Sequence, residues 1–150
     1  MPKWLCLGAI IVLVALLTGC GGGSDSVSVG EGAGTIAASD FNPFAGNGGG
    51  PMNLKYFTAP SAGNYEVILT SGPGQDALPS PYIMVFLGHV EANNVSFLGA
   101  YNSGQGVAYQ NHGDNIATVV LPANANEEFT LAFTSATGNV GSYSYRVVAF

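Results

Sequence analysis

Positive charge is what this 150-residue chain has least of, with three lysine and arginine residues against nine carboxylates. With no basic patch to neutralise phosphates and release counterions, nucleic acid is excluded as a partner. Histidine occurs twice, at His89 and His112, and cysteine twice, at Cys6 and Cys20. Two distant histidines and isolated acids do not form the closely spaced ligand pairs that zinc needs. A serine-histidine-acid arrangement would have to join one of these histidines to residues such as Ser103 and Asp114. The G-x-S-x-G turn that presents a nucleophile is missing, so the chain reads as non-catalytic. Trp4 is the single tryptophan, and only 8% of the residues are charged. The low charge is not disorder, because aromatic and β-branched residues recur to Phe150 and provide enough apolar surface for one core.

What is present begins with Lys3 and an apolar run from Trp4 to Leu17. The run is shorter than the ~20 apolar residues of a membrane-spanning helix, and Gly19 to Gly23 end it abruptly, as in an export signal. Its last residues, Leu17-Thr18-Gly19-Cys20, resemble the lipobox of bacterial lipoproteins. That resemblance implies cleavage before Cys20 and acylation of its thiol and new amino terminus. Residues 1–19 are then a signal peptide, with an ordinary cleaved signal as the competing reading. Cys6 leaves with the signal, so Cys20 has no disulfide partner in the mature chain. Two or three acyl chains anchor a protein stably where one does not. Loss of Lys3 leaves Lys55 and Arg146 against nine carboxylates, a formal charge of −7. Gly21, rather than an acid, follows Cys20. This resembles the sorting pattern of outer-membrane lipoproteins and implies a place in the cell envelope, at the outer membrane if the host is Gram-negative.

Residues 20–34 are rich in glycine and serine and read as a flexible tether. The glycines from Gly30 to Gly34 lack the strand-helix frame of a phosphate-binding loop. The domain is expected over residues 35–150, best defined over 52–150. Ser39 to Pro51 reads as loop, with Phe41 and Phe44 as hydrophobic plugs. Period-two alternation then begins. Met52-Leu54-Tyr56 and Tyr65-Val67-Leu69 flank a turn signal from Ala59 to Asn64 and read as a hairpin. Tyr82 to Leu87 is a continuous apolar run suited to a strand buried on both faces. Further strands are expected near Val95 to Tyr101, Gly106 to Gln110, Ile116 to Leu121, Glu128 to Ser135 and Ser142 to Phe150. No sustained helical period is seen beyond the signal. The pattern predicts an all-β fold, a single antiparallel jelly-roll-like β-sandwich of about eight strands after a signal helix and flexible linker. A membrane barrel is disfavoured, because Ser144 and Arg146 break the outward apolar stripe counted back from Phe150.

Tyr56-Phe57-Thr58-Ala59-Pro60-Ser61-Ala62-Gly63-Asn64-Tyr65-Glu66-Val67 resembles the opening of the bacterial pre-peptidase C-terminal domain. Ile116 to Leu121, Pro122-Ala123, Phe129 to Phe133 and Gly141 to Val148 are similar to that family's closing three strands. The likeness spans residues 52–150. It departs from the family where Pro81 precedes Tyr82 and where Asn124 follows Ala123. The resemblance implies a non-catalytic module of the kind that accompanies secreted hydrolases, some relatives of which bind calcium or a polymeric substrate.

The candidate ligand-binding residues are Tyr101 and Tyr109, which flank Asn102-Ser103-Gly104-Gln105-Gly106 and offer rings beside amides for a glycan or peptide. Tyrosines in strands also pair across a sheet or pack at its edge, and that reading stays open. Tyr143 and Tyr145 are weaker candidates, because their strand face also carries Val147. No cofactor is required. Calcium is the one the residues leave open, through Asp40, Asn42 and Asn47 or through Asp76 in the proline-rich loop, although Phe44 and Ala45 break an EF-hand pattern and Asx turns explain the same residues. The expected role is a non-catalytic binding module for carbohydrate or peptide on a lipid anchor. The alternative is an accessory subunit that binds another envelope protein through an apolar edge or face.

Overall fold

The computed structural model describes residues 27–42, 50–102 and 107–150. Eight strands and one helix follow in the order β1 (Val27–Ile36), β2 (Asn53–Thr58), β3 (Gly63–Ser71), β4 (Pro81–Leu87), α1 (Asn94–Asn102), β5 (Tyr109–His112), β6 (Ile116–Ala123), β7 (Glu128–Ser135) and β8 (Gly141–Ala149). They form two four-stranded sheets, β1-β8-β3-β6 (sheet A) and β2-β7-β4-β5 (sheet B). All the strand pairs are antiparallel. The pairs β1·β8, β2·β7, β3·β6 and β4·β5 are nested, as if one long hairpin had been rolled up.

Alternation builds the core. Tyr65, Val67 and Leu69 of β3, Ala117, Val119 and Leu121 of β6, and Phe129, Leu131 and Phe133 of β7 all point between the sheets. Each large side chain withdrawn from water there contributes roughly 1.5–3 kcal/mol. Strand β4 is buried along most of its length, as its unbroken apolar run predicts. Ile83 and Val85 face the inter-sheet core, and Met84 and Phe86 face the opposite side of sheet B.

The structure corrects the sequence reading in four places. The first is the tether, because residues 27–34 lie inside β1, whose ladder with β8 runs from Val27↔Ala149 to Ile36↔Gly141. Its glycines are packing positions. A Cβ on Gly32 would lie 2.7 Å from the Tyr145 ring, and one on Gly34 would lie 2.8 Å from the Tyr143 hydroxyl. Tyrosine rings from β8 therefore fill the space that β1 side chains would occupy, which removes the apolar alternation that marks a strand.

The second correction concerns β2 and β3, which do not form a hairpin. Strand β2 pairs with β7, and β3 pairs with β6 and β8. The segment between them crosses from sheet B to sheet A, so Phe57 and Tyr65 meet edge-on across the core at 5.2 Å between centroids. The Tyr65 hydroxyl donates to the Ser61 carbonyl at 2.7 Å and pins the crossing.

The third is the segment around Val95 to Tyr101, which is helix α1. Asn93 caps it, accepting from the Ser96 N–H through Oδ1 at 2.7 Å. A short apolar run does not by itself distinguish helix from strand. Here the helix places Phe97 and Ala100, three residues apart, on one buried side. Phe97 packs edge-on against Phe86 at 4.7 Å and Phe41 at 5.6 Å, as the plug reading of Phe41 expects. With Met52, Met84 and Ala132 these residues make a second core on the outside of sheet B. The fourth correction is β5, which begins at Tyr109 and runs to His112.

Val27, Gly63, Ala123 and Ala149 gather at one end of the sandwich. Ile36, Gly141, Pro81 and Ser135 gather at the other. No described helix is long and apolar enough to cross a membrane.

Candidate functional site

Helix α1 covers only part of the outer face of sheet B. Beside it, at the end of the sandwich that holds Pro81 and Ser135, lies a hollow of about 200 Å³. Period two places Tyr82 and Met84 of β4 on this face, and the β4·β5 register sets Gln110 opposite Met84. Met52 and Met84 are nearly inaccessible, at 2% and 4% exposure, and form an apolar floor. Tyr82, Gln110 and Tyr101 rise around it, with Tyr101 brought in from the last turn of α1.

The polar groups at the rim divide into fixed and available ones. Thr134 Oγ1 donates to the Pro51 carbonyl, and Ser135 Oγ donates to the Pro79 carbonyl, so both hydroxyls serve the wall. The Tyr82 hydroxyl donates to Gln110 Oε1. This fixes the Gln110 amide and leaves its nitrogen to donate to a ligand. Burial, and secondarily the neighbouring Tyr101 phenol, push the Tyr82 phenol above its ordinary range. The site is an uncharged cup with two tyrosines in its wall, suited to a neutral ligand with apolar faces and polar edges.

The structure separates the two tyrosines singled out from sequence. Tyr101 is at the hollow and 45% exposed. Tyr109 lies opposite Val85 and packs against the inter-sheet core. One residue along β5, Gln110 takes the outward place, because neighbours in a strand face opposite sides. Tyr82 and Gln110 were missed. Their signal was the parity of β4 and β5, which becomes readable only once the register is known.

Of the calcium candidates, Asn47 lies outside the described residues. The Asp40 carboxylate accepts from the Ala37 N–H at 2.8 Å and closes its own turn. Asn42 follows two residues later. Among the described residues, no three His, Cys, Asp or Glu side chains gather around a metal-sized space. Cys20, Phe44 and Ser103 also lie outside the described residues. His89 stacks on Tyr56 at 4.1 Å, and His112 meets Tyr82 edge-on at 6.1 Å.

A larger and shallower hollow, about 430 Å³, crosses the outer face of sheet A over Glu31, Ile68, Thr70, Ser144 and Arg146. Glu31 and Arg146 are Cα partners there, so their opposite charges stand side by side and offset each other. It lacks the enclosed apolar floor of the hollow beside α1.

No protein-family model and no curated protein matches this chain. Among solved structures, the fold is similar to the pre-peptidase C-terminal domain of collagenase from Bacillus anthracis, with a TM-score of 0.49 and 14% identity over 79% of this chain and 87% of that one. It is also similar to PliG of Aeromonas hydrophila, a periplasmic lysozyme inhibitor of g-type lysozyme, with a TM-score of 0.40 and 13% identity over 83% of this chain and 84% of that one.

Proposed function

We propose that this protein is an exported lipoprotein, anchored in the cell envelope through acylated Cys20, whose jelly-roll-like sandwich is a non-catalytic binding module. Its ligand is a neutral carbohydrate ring or a short peptide segment held in the hollow beside α1. One observation carries the reading: Tyr82, Tyr101 and the oriented Gln110 amide converge over a buried methionine floor. Stacking on a tyrosine face and donation from an amide suit a sugar or peptide group without needing charge, which this chain scarcely has. The nested strand pairing supports the jelly-roll description. The residue pattern over 52–150 supports the likeness to pre-peptidase C-terminal domains.

The test is thermal stabilisation of the acyl-free chain by a panel of glycans, cell-wall fragments and peptides. A ligand at 100 times its Kd stabilises the folded state by about 2.7 kcal/mol. Tyr101→Ala and Gln110→Ala should each abolish the shift. A ligand that still stabilises both variants binds elsewhere, and the site assignment fails.

A second reading, an accessory subunit covered by another envelope protein, rests on Ile116 and Val120. These outward side chains of edge strand β6 are 55% and 46% exposed. Retention of a native envelope protein by the wild type but not by Val120→Lys, with no ligand shift from the panel, would favour it.

A further inference from the structure

Correcting the start of β1 changes how the domain can sit on a membrane. If residues 20–34 were all tether, the sandwich would stand well clear of the anchor. With β1 starting at Val27, seven Cα steps separate it from Cys20, a reach of at most ~25 Å. Strand β1 is itself ten residues long, about 33 Å at the usual rise. Val27 is therefore held within that distance of the lipid, and the far end of β1 can stand up to a strand length further out.

Reach alone would let the domain lean any way, and the chemistry of the corner around Val27 selects one. Val27 and Phe150 are 59% and 53% exposed. They share this corner with the exposed crossing segment Ser61 to Asn64, and none of the side chains lining it is a carboxylate, a lysine or an arginine. The nearest side-chain carboxylates stand beside this corner rather than in it. Glu31 and Glu66 are on the outer face of sheet A, and Glu127 and Glu128 are on the β6 side of the same end. A negatively charged bilayer surface repels Glu66, Glu127 and Glu128, whose charges no neighbouring Arg146 offsets as it does that of Glu31, and side chains without charge do not suffer this repulsion. Exposed Val and Phe side chains also gain by leaving water for the headgroup boundary.

We infer that the corner formed by Val27, Phe150 and Ser61 to Asn64 rests on the lipid surface, and that the hollow of Tyr82, Tyr101 and Gln110 faces away from it. The inference rests on the acylation of Cys20 proposed above and adds an orientation to it. Tyr82 and Ser135 belong to the far end of the sandwich, so the ligand is met by the surface that points away from the membrane.

The test uses the mature acylated protein in phosphatidylethanolamine and phosphatidylglycerol vesicles that carry a headgroup nitroxide quencher. Cys20 is blocked by its lipid, so a new cysteine is a unique site for a fluorophore. Ala62→Cys and Asn64→Cys report the near corner, and Val140→Cys reports the far end. All three positions are exposed, and each variant is checked for an unchanged melting temperature. Quenching several-fold stronger at residues 62 and 64 than at 140 is expected. Equal quenching, or stronger quenching at 140, in protein whose mass shows an acylated Cys20 overturns the orientation and leaves the anchor standing. An unmodified Cys20 overturns the anchor, and the orientation falls with it.

Discussion

The assignment of residues 27–36 to the sandwich makes Gly32→Ala an incisive substitution. In an exposed strand, alanine is favoured over glycine by roughly 0.5–1 kcal/mol, because glycine loses more backbone freedom on folding. Within β1 the new methyl group would lie 2.7 Å from Tyr145 Cε1 and 3.1 Å from both Cζ and the hydroxyl. Real Cβ atoms do not approach so closely, so the ring must move. It is not free to do so, because it packs against Phe133 at 5.0 Å between centroids. Overpacking of this kind costs typically ~1–3 kcal/mol, so Gly32→Ala loses up to about 2.5 kcal/mol after the backbone gain and falls ~1–3 kcal/mol below a glycine-to-alanine change that meets no clash. Gly63→Ala is the control, since a Cβ there meets nothing within 4 Å. Urea unfolding of the acyl-free chain measures both variants. A second arm adds Tyr145→Ala. If the methyl-ring clash is the cause, the two substitutions couple by at least ~0.5 kcal/mol, and Gly32→Ala becomes harmless once the ring is gone. A Gly32→Ala variant as stable as Gly63→Ala, with no coupling to Tyr145, would refute the packing of β1 and restore the segment to a linker.

Two further outcomes follow from the packing and from the buried phenol. Phe97→Ala empties the centre of the second core, where Phe97 is fully buried against Phe86 and Phe41. Urea unfolding should show a loss of about 3–5 kcal/mol, with weaker helical circular dichroism as α1 loosens. Burial is the main cause that raises the Tyr143 phenol above its ordinary value of 10.0, opposed in part by the Asn53 hydrogen bond. As pH rises past about 10, the unfolded chain releases this proton first, so stability is full below that pH and falls above it. Tyr143→Phe should flatten that alkaline decline in urea unfolding measured across the range, and an unchanged slope would place its cause elsewhere.

The sequence by itself determined the all-β class and most of the strands, because a half-buried strand writes its geometry locally. Tyr65-Val67-Leu69 and Phe129-Leu131-Phe133 alternate with residues that face outward, and no distant contact is needed to see it. The continuous run of β4 announced burial on both faces for the same reason. Tertiary structure alone decided β1, since its inward positions are glycines filled by rings from β8, more than a hundred residues away in sequence. It also decided α1, where a nine-residue apolar segment with a glycine inside it is ambiguous until Phe97 finds Phe86 and Phe41. The partner of β2 was set by the crossing between sheets, to which the Ala59 to Asn64 turn signal is indifferent. At the site, composition pointed to Tyr101, and parity removed Tyr109. A one-residue step along a strand reverses the face, and which residue of β5 faces out is fixed by its ladder with β4 and by no property of the tyrosine. That ladder put Gln110 beside Tyr82 and turned two unremarked side chains into the walls of the hollow.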